Sequence, residues 1–500
     1  MKILPQSRAG ALWRFLLAAV IIISGTAATT AVAGLLQVQQ LAQDLSVGVA
    51  IPHAKITIAN PGDPQTLLLI GSDHRAGEPF KYANTDTMML VRLNPNSQTI
   101  NVMSVPRDLR VQIPGFGISK LNAAYSLGGP NLLIKTIQQN VFPGFHPNHI
   151  LDVNFGGFSK LINAIGCVYA DVDHRYYNNT ALTNYSSINI QPGYQRLCGT
   201  DALAFVRFRH TDSDLVRNAR QQDFIRWAKE QYSLSALVSN RDRLLRIFGA
   251  NVETDADLRS ADGLQNLFQL VAFSDGHTIK QIRFPATLAN CTAGGQTPCY
   301  VTSDPVAEAG AYRAFMRPTT QGAAARAKSP GKSVAAHRAK IDTSGLVADP
   351  ADGRSQAAAL RRAGLPVYFP RLIASGSGYC SDQTSLCPLE VPSPGSYPRA
   401  YPLRDRSRRP YPAYRMTLVL NSLLGQYYGV EGTTWQHPPL LDKPSGTKVV
   451  AGKKLLLFAQ GGALVDVAWR TPGAVYWISN TLTGDIPNRQ MVDIAASLMH

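Results

Sequence analysis

The sequence predicts an α/β fold, with a central mixed β-sheet flanked by helices, followed by a smaller C-terminal α+β domain. Two patterns predict it. Short apolar runs bounded by Gly, Asp, Asn and Pro are typical of strands, and they alternate with amphipathic stretches that are typical of helices. A length of 500 residues exceeds one hydrophobic core, and a hydrophobic content of 45% is enough for folded domains.

The first domain is predicted over residues 60–286. Its opening strands are the apolar runs TLLLIG (66–71), TMMLVRL (87–93) and TINVMSV (99–105). Pro130 favours a helix start before the apolar positions 132–141. The runs ILDVNF, GGFSKLINAIG and VYADV then predict strand, helix and strand, the unit of a sheet covered by helices. Further helices are expected over 216–237 and 264–273.

A change of composition separates the second domain from the first. Residues 319–359 are rich in Ala, Gly, Ser, Pro and Lys without periodicity, which predicts a flexible basic linker. Residues 360–500 form the predicted accessory domain and end in a helix, NRQMVDIAASLM. Its basic run RDRSRRPYPAYR (404–415) indicates a solvated loop, with contact to anionic wall polymer or phospholipid as the alternative.

The N-terminus predicts a membrane anchor. Residues 1–14 carry Lys2, Arg8 and Arg14, and residues 15–36 are uncharged and mostly apolar, long enough for a helix to cross a bilayer. The positive-inside tendency places residues 1–14 in the cytoplasm and the working part outside a single-pass anchor. A cleaved signal peptide is the alternative, because residues 31–33 (AVA) resemble a cleavage site.

The six cysteines agree with an exported protein. Sequence proximity favours Cys291 with Cys299 and Cys380 with Cys387, which leaves Cys167 for Cys198. The alternative is buried free thiols. No CxxC spacing is present, which argues against a zinc ribbon.

The net charge of +16 suits nucleic acid, an anionic membrane surface or a phosphorylated substrate equally well. An extracytoplasmic location and the lack of helix-turn-helix or zinc-finger spacing argue against nucleic acid.

Arginines concentrate in VRFRHTDSDLVRNARQQDF (206–224). A short helix is expected from Thr200 to about Arg207, and an extended chain beyond it would point Arg207 and Arg209 the same way. One face of the next helix carries Arg217, Arg220 and Gln221. Guanidinium groups that converge suit phosphate oxygens. Salt bridges to the acids at positions 212, 214 and 223 are the alternative.

Carboxylates accompany arginines at predicted strand ends. Asp73 and Arg75 follow the first strand, Asp86 opens the second, and Arg107 and Asp108 follow the third. Loops at such strand ends bind ligands in open α/β sheets. Carboxylates beside arginines suit a magnesium ion that bridges phosphate oxygens. A turn or cap role is the alternative for each Asp alone.

Five ordered motifs resemble the LytR-CpsA-Psr proteins of Gram-positive cell envelopes. They are LLLIGSDHR, NTDTMMLVRL, INVMSVPRDLRV, KLNAAYSLGG and the segment from GYQRLCGTD to RQQDF, within residues 66–235. The resemblance implies a membrane-anchored phosphotransferase that moves a glycopolymer from a polyprenyl diphosphate carrier onto peptidoglycan. The Ala- and Arg-rich composition is similar to actinobacterial members, for which arabinogalactan is the expected polymer.

The resemblance also implies roles for particular residues. Asp73 and Asp86 would hold magnesium, or manganese in its place, and Arg107 would be tied most directly to turnover. The diphosphate would be surrounded by Arg75, Arg107, Lys120, Arg207, Arg209, Arg217, Arg220 and Gln221. Phosphoryl transfer asks mainly for positioning and charge neutralisation, which such a set supplies.

Three other functions remain open from the sequence. A pyrophosphatase would cleave the same lipid diphosphate with water, and a transcriptional attenuator would bind nucleic acid. A polymer-binding protein without activity is disfavoured, because Asp73, Asp86 and Arg107 are all present.

Overall fold

The computed structural model describes residues 50–51, 53–74, 78–180, 187–208, 213–232, 247, 250–274, 276–289, 300–319, 341–382, 387 and 395–500. The predicted anchor (15–36), Arg75, Arg209 and the pair Cys291 and Cys299 lie outside these residues. Within them, no helix combines the length and the apolar character that crossing a membrane requires.

The first domain alternates strands and helices, as predicted. Its strands are β1 (Gln65–Ser72), β2 (Thr85–Leu93), β3 (Thr99–Ser104), β4 (Arg110–Ile113), β5 (Gly117–Lys120), β6 (His149–Asn154), β7 (Val168–Val172), β8 (Tyr176–Asn178), β9 (Ile188–Ile190), β10 (Gly193–Leu197), β11 (Val252–Thr254), β12 (Thr278–Gln281), β13 (Ala286–Ala289) and β14 (Tyr300–Ser303). Its helices are α1 (Leu121–Asn140), α2 (Phe155–Ile165), α3 (Gly199–Arg207), α4 (Asp214–Gln231), α5 (Ala261–Phe273) and α6 (Pro305–Met316). Short 3₁₀ turns lie at Phe80–Tyr82 and Asp257–Arg259.

The central sheet is mixed, as predicted. Its order is β11-β6-β1-β2-β3-β12. The strand β1 pairs antiparallel with β2 and parallel with β6, whereas β3 pairs antiparallel with β2 and parallel with β12. Therefore the ends of β1, β3 and β6 and the start of β2 meet at one edge.

Helix α1 begins earlier than predicted and contains a kink. The prediction starts it at Pro130, but the structure starts it at Leu121 and breaks its regular geometry at Gly128 and Gly129. Gly129 has a φ of +64°, and a Cβ there would lie 2.9 Å from the ring of Phe80. Pro130 therefore begins the second half of the helix, where its missing N–H costs nothing.

Helix α3 ends where the sequence predicts, but its cap differs. The prediction assigns the cap to Thr200, whereas the structure has Cys198 as N-cap and Gly199 as first residue. Cys198 is disulfide-bonded to Cys167, and Cys380 is bonded to Cys387. Both pairings confirm the prediction.

The first domain extends further than predicted at both ends. Ile51 donates its backbone N–H to Thr254 at 2.9 Å and lies in the same core as Leu68. Beyond residue 286, Val301 and Phe315 complete that core. The domain therefore includes β14 and α6, which the sequence pattern left unassigned.

The second domain is built on an antiparallel sheet. Its strands are β15 (Leu346–Ala348), β16 (Phe369–Pro370), β17 (Leu372–Ala374), β18 (Gly378–Tyr379), β19 (Arg399–Arg404), β20 (Pro410–Asn421), β21 (Gln426–Thr433), β22 (Gly446–Val450), β23 (Lys453–Gln460), β24 (Ala463–Arg470), β25 (Val475–Ser479) and β26 (Leu498–Met499). Its helices are α7 (Pro350–Ala359) and α8 (Asn488–Ala496), with a 3₁₀ turn at Pro439–Leu441. The main sheet has the order β18-β20-β21-β25-β24-β23-β22, and β19 pairs with β20.

Part of the predicted linker is ordered. Residues 341–359 contain β15 and α7, and the helix begins at an Asp349 cap followed by Pro350. An Asp-Pro pair of this kind is a helix-start signal that composition alone obscures. Residues 320–340 lie outside the described residues.

The basic run 404–415 is not one solvated loop, so the favoured interpretation of it is wrong. Arg406 donates to the Gln231 carbonyl at 2.6 Å and stacks on the Tyr232 ring. Arg415 is completely buried, whereas Arg408 and Arg409 are exposed at the β19–β20 turn. Pairing of β19 with β20 places alternate residues of the run on opposite faces.

The two domains share a hydrophobic core. Tyr169, Tyr194 and Trp227 of the first domain cluster with Leu403 and Trp477 of the second. This shared core fixes the second domain against α4, the helix that carries part of the candidate site.

Candidate functional site

The candidate site lies at the sheet edge where β1, β3 and β6 end and β2 begins. Asp73 follows β1, Asp86 is the second residue of β2, and Arg107 lies three residues beyond β3. The antiparallel pairs β1–β2 and β2–β3 bring these positions to the same edge. The structure therefore brings together strand ends that are far apart in sequence.

Asp86 is the centre of this arrangement. Its Oδ1 forms a close ion pair with Nη1 of Arg107, and its Oδ2 accepts from Nε of Arg207 at 3.0 Å. Burial favours the neutral carboxyl, but the charges of Arg217, Arg107 and Arg207 outweigh burial and hold the pKa of Asp86 below its ordinary value. The carboxylate therefore stays ionised.

Arg107 is fixed through both its backbone and its side chain. Its backbone N–H donates to Oδ2 of Asp214 at 3.1 Å, and the other oxygen of Asp214 forms a close ion pair with Arg217. Asp214 is buried at the start of α4, immediately after the Ser213 cap. One carboxylate thus connects two of the predicted arginines.

Lys120 joins the same site through Asp108. Its Nζ lies 3.0 Å from Oδ1 of Asp108, and Nε of Arg107 lies 3.9 Å from the same oxygen. Lys120 is the last residue of β5, and Asn122 beyond it donates its backbone N–H to the Arg107 carbonyl at 3.0 Å. The hairpin of β4 and β5 therefore carries a cation to the edge.

Arg207 reaches Asp86 from the C-terminal end of α3. Its guanidinium lies 3.8 Å from the centroid of the Phe155 ring, and about a third of its side chain is exposed. Phe155 begins α2 directly after β6. An aromatic ring under a guanidinium group holds it flat and leaves its other face open.

Arg220 and Gln221 do not reach Asp86. Arg220 is completely buried, donates to the carbonyls of Phe205 and Phe208 at 3.2 and 2.8 Å, and lies over the Tyr176 ring. Gln221 donates to the Val206 carbonyl at 3.0 Å. Both side chains therefore hold the chain around Arg207, as positioning residues.

Asp73 and Asp86 are the carboxylates predicted to hold a metal, and both are engaged by neighbouring side chains or backbone. Asp73 is exposed, and its two oxygens accept from the backbone and side-chain nitrogens of Asn84 at 2.5 and 3.3 Å. No group of three His, Cys, Asp or Glu in the described ranges is arranged to hold a metal ion. Carboxylate oxygens are the protein ligands that magnesium takes, together with water and phosphate oxygens.

Two residues of this site were not predicted as functional from the sequence. Asp214 was expected only as a salt-bridge partner, and Phe155 only as the last residue of the strand run ILDVNF. A helix-start signal, Ser213 before Asp214, could have marked Asp214 as buried at a helix N-terminus. Nothing local in the sequence identifies the contact between Phe155 and Arg207.

Cations and carboxylates are gathered at the site in equal number. Its described cations are Arg107, Lys120, Arg207 and Arg217, and its described carboxylates are Asp73, Asp86, Asp108 and Asp214. Part of the site is exposed to solvent at Arg107, Lys120 and Arg207. Such an arrangement can bind a multiply anionic group and stabilise charge that develops on its oxygens.

Comparison with known proteins identifies the family of this chain. The model of the LytR_cpsA_psr family matches residues 31–309, more than half of the chain. The chain therefore belongs to the LytR-CpsA-Psr family.

Two curated relatives are named as polyisoprenyl-teichoic acid--peptidoglycan teichoic acid transferases. TagU of Oceanobacillus iheyensis is 35% identical over 213 residues, 41% of this chain and 62% of the relative. TagT of Bacillus subtilis is 30% identical over 209 residues, 41% of this chain and 64% of the relative. The match thus spans less than two thirds of either relative. Among solved structures, B. subtilis TagV is 24% identical with a TM-score of 0.40, covering 51% of this chain and 97% of that one.

Proposed function

We propose that this chain is a phosphotransferase that moves a glycopolymer from a polyprenyl diphosphate carrier onto peptidoglycan. The convergence of Arg107 and Arg207 on Asp86, within the electrostatic influence of Arg217, is the observation that carries the proposal. Guanidinium groups held around one carboxylate are ready to exchange that partner for diphosphate oxygens, which they bind with the same geometry. The relatives named as transferases from a polyisoprenyl carrier support the choice of donor and acceptor.

In the proposed reaction a sugar hydroxyl of peptidoglycan attacks the phosphorus that bears the glycan. A new P–O bond forms, the P–O bond to the bridging oxygen breaks, and polyprenyl phosphate leaves, with the proton of the attacking hydroxyl transferred to the leaving phosphate or to water. Arg107 and Arg207 would bind the oxygens on which negative charge grows, and Asp214 would keep Arg107 in place. Lys120 would add a further positive charge at the edge.

We propose magnesium as the cofactor, with manganese as a substitute. Asp73 and Asp86 would hold it, since a metal of this class uses one or two carboxylates together with substrate phosphates. Bound there, the ion would neutralise charge on the diphosphate.

We also propose that the chain works outside the cytoplasmic membrane, anchored by residues 15–36. A donor that resides in the membrane favours an enzyme tethered to the same membrane. Arabinogalactan is the polymer that we propose, on the Ala- and Arg-rich composition.

The test is transfer of a radiolabelled glycan from a synthetic polyprenyl diphosphate to peptidoglycan fragments by the full-length chain, with and without magnesium. We expect label in the acceptor and a loss of roughly 100-fold or more in the Arg107→Ala variant, as for removal of one charge-stabilising donor. Arg110→Ala, an exposed residue of β4, is the matched control and should retain activity.

Two outcomes would contradict the proposal. Release of glycan phosphate without label in the acceptor would assign the site to a pyrophosphatase. Absence of turnover with either an arabinogalactan or a teichoic acid donor would reject transfer altogether.

A further inference from the structure

A second polar site lies between the two domains, away from the arginine cluster. It is a cavity of about 270 Å³ on the opposite face of α4 from Arg217 and Gln221. The first domain lines it with Ser104, Asp171, Asn218, Gln222, Asp223, Arg226, Trp227 and Phe284, among others. The second domain lines it with Gln460, Asp466 and residues 479–484. The cavity exists only because the second domain packs on α4.

Two of the lining side chains have no hydrogen-bond partner among the described residues. These are Asn218 on α4 and Asp466 on β24, whose exposed fractions are 7% and 4%. Further lining side chains have a buried polar atom without a hydrogen-bond partner among the described residues, including Oδ2 of Asp171, Nε1 of Trp227, Oε1 of Gln460 and Oγ of Ser479. Buried polar groups are normally hydrogen-bonded, because leaving them unpaired costs free energy. The polar groups around this cavity are therefore available to form hydrogen bonds with a polar ligand.

The chemistry of the lining narrows the kind of ligand. The carboxyl groups of Asp171, Asp173, Asp223 and Asp466 outnumber the two lining cations, Arg226 and Arg283, which disfavours an anion. Arg226 is also engaged by Asp223 at 3.0 Å and by Glu230 at 3.3 Å. No group of three potential metal ligands occurs in the described ranges, which disfavours a metal ion. The predominance of amide, hydroxyl and carboxyl groups disfavours an apolar ligand.

A neutral polyhydroxylated molecule suits this lining. Sugar hydroxyls both donate and accept, as do the amide of Asn218 and the hydroxyl of Ser479. Burial raises the pKa of Asp466 well above its ordinary value, so its carboxyl can keep its proton and also both donate and accept. The aromatic rings of Trp227 and Phe284 add apolar surface of the kind that one face of a sugar ring covers.

We propose that this interdomain cavity binds a neutral saccharide unit of a glycan. Its volume lies just below the usual range for drug-sized ligands, which suits one or two sugar rings. Leu215 lines the cavity and the preceding residue, Asp214, holds Arg107, so the bound sugar would lie across the first turn of α4 from the arginine cluster. The assignment of this unit to the acceptor or to the transferred polymer rests on the proposed function. The binding of the saccharide itself does not rest on it.

The test is isothermal titration calorimetry of the full-length chain with soluble neutral oligosaccharides. The probes are an N-acetylglucosamine tetramer, which represents the peptidoglycan backbone, and arabinose and galactose oligomers, which represent the polymer. We expect saturable binding of one of these two classes, with a Kd in the millimolar range or tighter. No saturable binding of any probe would overturn the proposal and leave a cavity that holds only water.

Two variants assign the binding to the cavity. Asn218→Leu and Asp466→Leu should each weaken binding at least tenfold. Since neither side chain has a hydrogen-bond partner in the described residues, the temperature of thermal unfolding without saccharide should be unchanged or raised, whereas loss of a structural hydrogen bond would lower it. Asp342→Leu, at an exposed carboxylate of the same domain, is the matched control for Asp466→Leu. Binding that both cavity variants leave unaltered would also overturn the proposal.

The Arg107→Ala variant separates this proposal from the proposed function. It should bind the saccharide as the unaltered chain does while it loses transfer. Saccharide binding without any transfer by the unaltered chain would reject the transferase and keep the cavity site. Transfer by a chain that does not bind the saccharide would support the transferase and reject the cavity site.

Discussion

Asp86 retains its charge in a largely buried position because three arginines surround it. Each of these arginines is held by a different element: Arg107 by the loop after β3, Arg207 by α3 and Arg217 by α4. A ligand with several anionic oxygens can therefore replace the carboxylate without rearrangement of the backbone. Preorganised charge of this kind is the main way in which enzymes stabilise developing charge.

Asp214 is the residue whose loss should separate positioning from direct contact. The Asp214→Asn variant leaves the buried Arg217 without its close ion-pair partner, and we expect a loss of roughly 3 kcal/mol in the free energy of unfolding. The backbone of Arg107 also loses a charged acceptor, so kcat should fall while KM changes little. Urea denaturation and transfer kinetics measure the two effects.

The matched control for this change is Asp201→Asn, an exposed aspartate in the first turn of α3. It should alter the free energy of unfolding by no more than about 0.5 kcal/mol. Equal effects of the two variants would contradict the positioning role of Asp214.

A second buried carboxyl gives the protein a predictable pH dependence. Burial raises the pKa of Asp152 to about 6, although hydrogen bonds from Ser72 and Tyr125 partly offset it. The folded protein thus holds this proton more tightly than the unfolded chain, so stability falls as pH rises between about 4 and 6. Over this pH range the free energy of unfolding falls by at most about 3 kcal/mol.

The Asp152→Asn variant should lack this part of the pH dependence. The free energy of unfolding, measured by urea denaturation at pH 4.5 and at pH 7, should decline less between these pH values for the variant than for the unaltered chain. Asp63→Asn, an exposed aspartate, should retain the full decline. A decline that is identical in all three proteins would contradict the assignment to Asp152.

The arginine cluster could be predicted as a set, but the partner of each arginine could not. Within the stretch 206–224, Arg207 pairs with Asp86 of the sheet end and Arg217 pairs with Asp214 of its own helix, so the salt bridges of the alternative interpretation occur in part, while phosphate binding stays a prediction. Asp223 pairs instead with Arg226 on the other face of α4. Residues that are three apart on a helix share a face, but the sequence does not say which face meets the sheet edge.

At the scale of elements, strands were predicted better than helix starts. β1, β2 and β3 occur within two residues of their apolar runs, because a buried strand is a local pattern. The early start of α1 at Leu121 and the kink before Pro130 depend on a contact with Phe80 that lies far away in sequence. Tertiary contacts of this kind leave no local signal.

The two described disulfides should stabilise the fold unequally. Cys167–Cys198 closes a loop with a sequence separation of 31, and Cys380–Cys387 closes one of 7. By loop entropy, the first bond contributes roughly 4 kcal/mol and the second roughly 2 kcal/mol. The first bond also holds the cap of α3, the helix that presents Arg207.

Replacement of each pair by alanines measures this difference by urea denaturation. The Cys167→Ala/Cys198→Ala double variant should lose more stability than Cys380→Ala/Cys387→Ala, which serves as its control. It should also lose transfer activity, since α3 is less firmly placed. The opposite order of stabilities would show that the longer loop is already ordered in the unfolded chain.

At the scale of the whole molecule, two domains could be predicted from the sequence, but the hydrophobic core that joins them could not. Composition indicated a boundary near residue 286 and a linker, whereas the core shared by Tyr194 and Trp477 joins the domains tightly. Shared cores arise from residues that are hundreds of positions apart, so no window of sequence reveals them. The second domain is therefore part of the scaffold that positions α4.

The interface between the two domains also contains a buried network of ion pairs centred on Arg415. It lies 2.5 Å from Asp171 of the first domain, forms a close ion pair with Glu431, and donates to the Asp173 carbonyl at 3.0 Å. Burial and the charge of Asp171 raise the pKa of Glu431, whereas Arg415 opposes that shift. Glu431 in turn accepts from the backbone of Tyr194 at 2.9 Å. One guanidinium therefore compensates carboxyl groups from both domains.

The Arg415→Met variant should therefore lose at least about 3 kcal/mol in the free energy of unfolding, because it leaves two buried carboxyl groups without their cation. Arg489→Met is the matched control: Arg489 pairs with Asp342 at 2.6 Å, but the two side chains are 54% and 45% exposed, and such a pair contributes about 0–1 kcal/mol. Urea denaturation followed by tryptophan fluorescence measures both, since Trp227 and Trp477 lie in the core that joins the domains. Equal losses of free energy in the two variants would mean that the shared apolar core alone holds the domains together. The ion pairs of Arg415 would then add no more stability than an exposed pair.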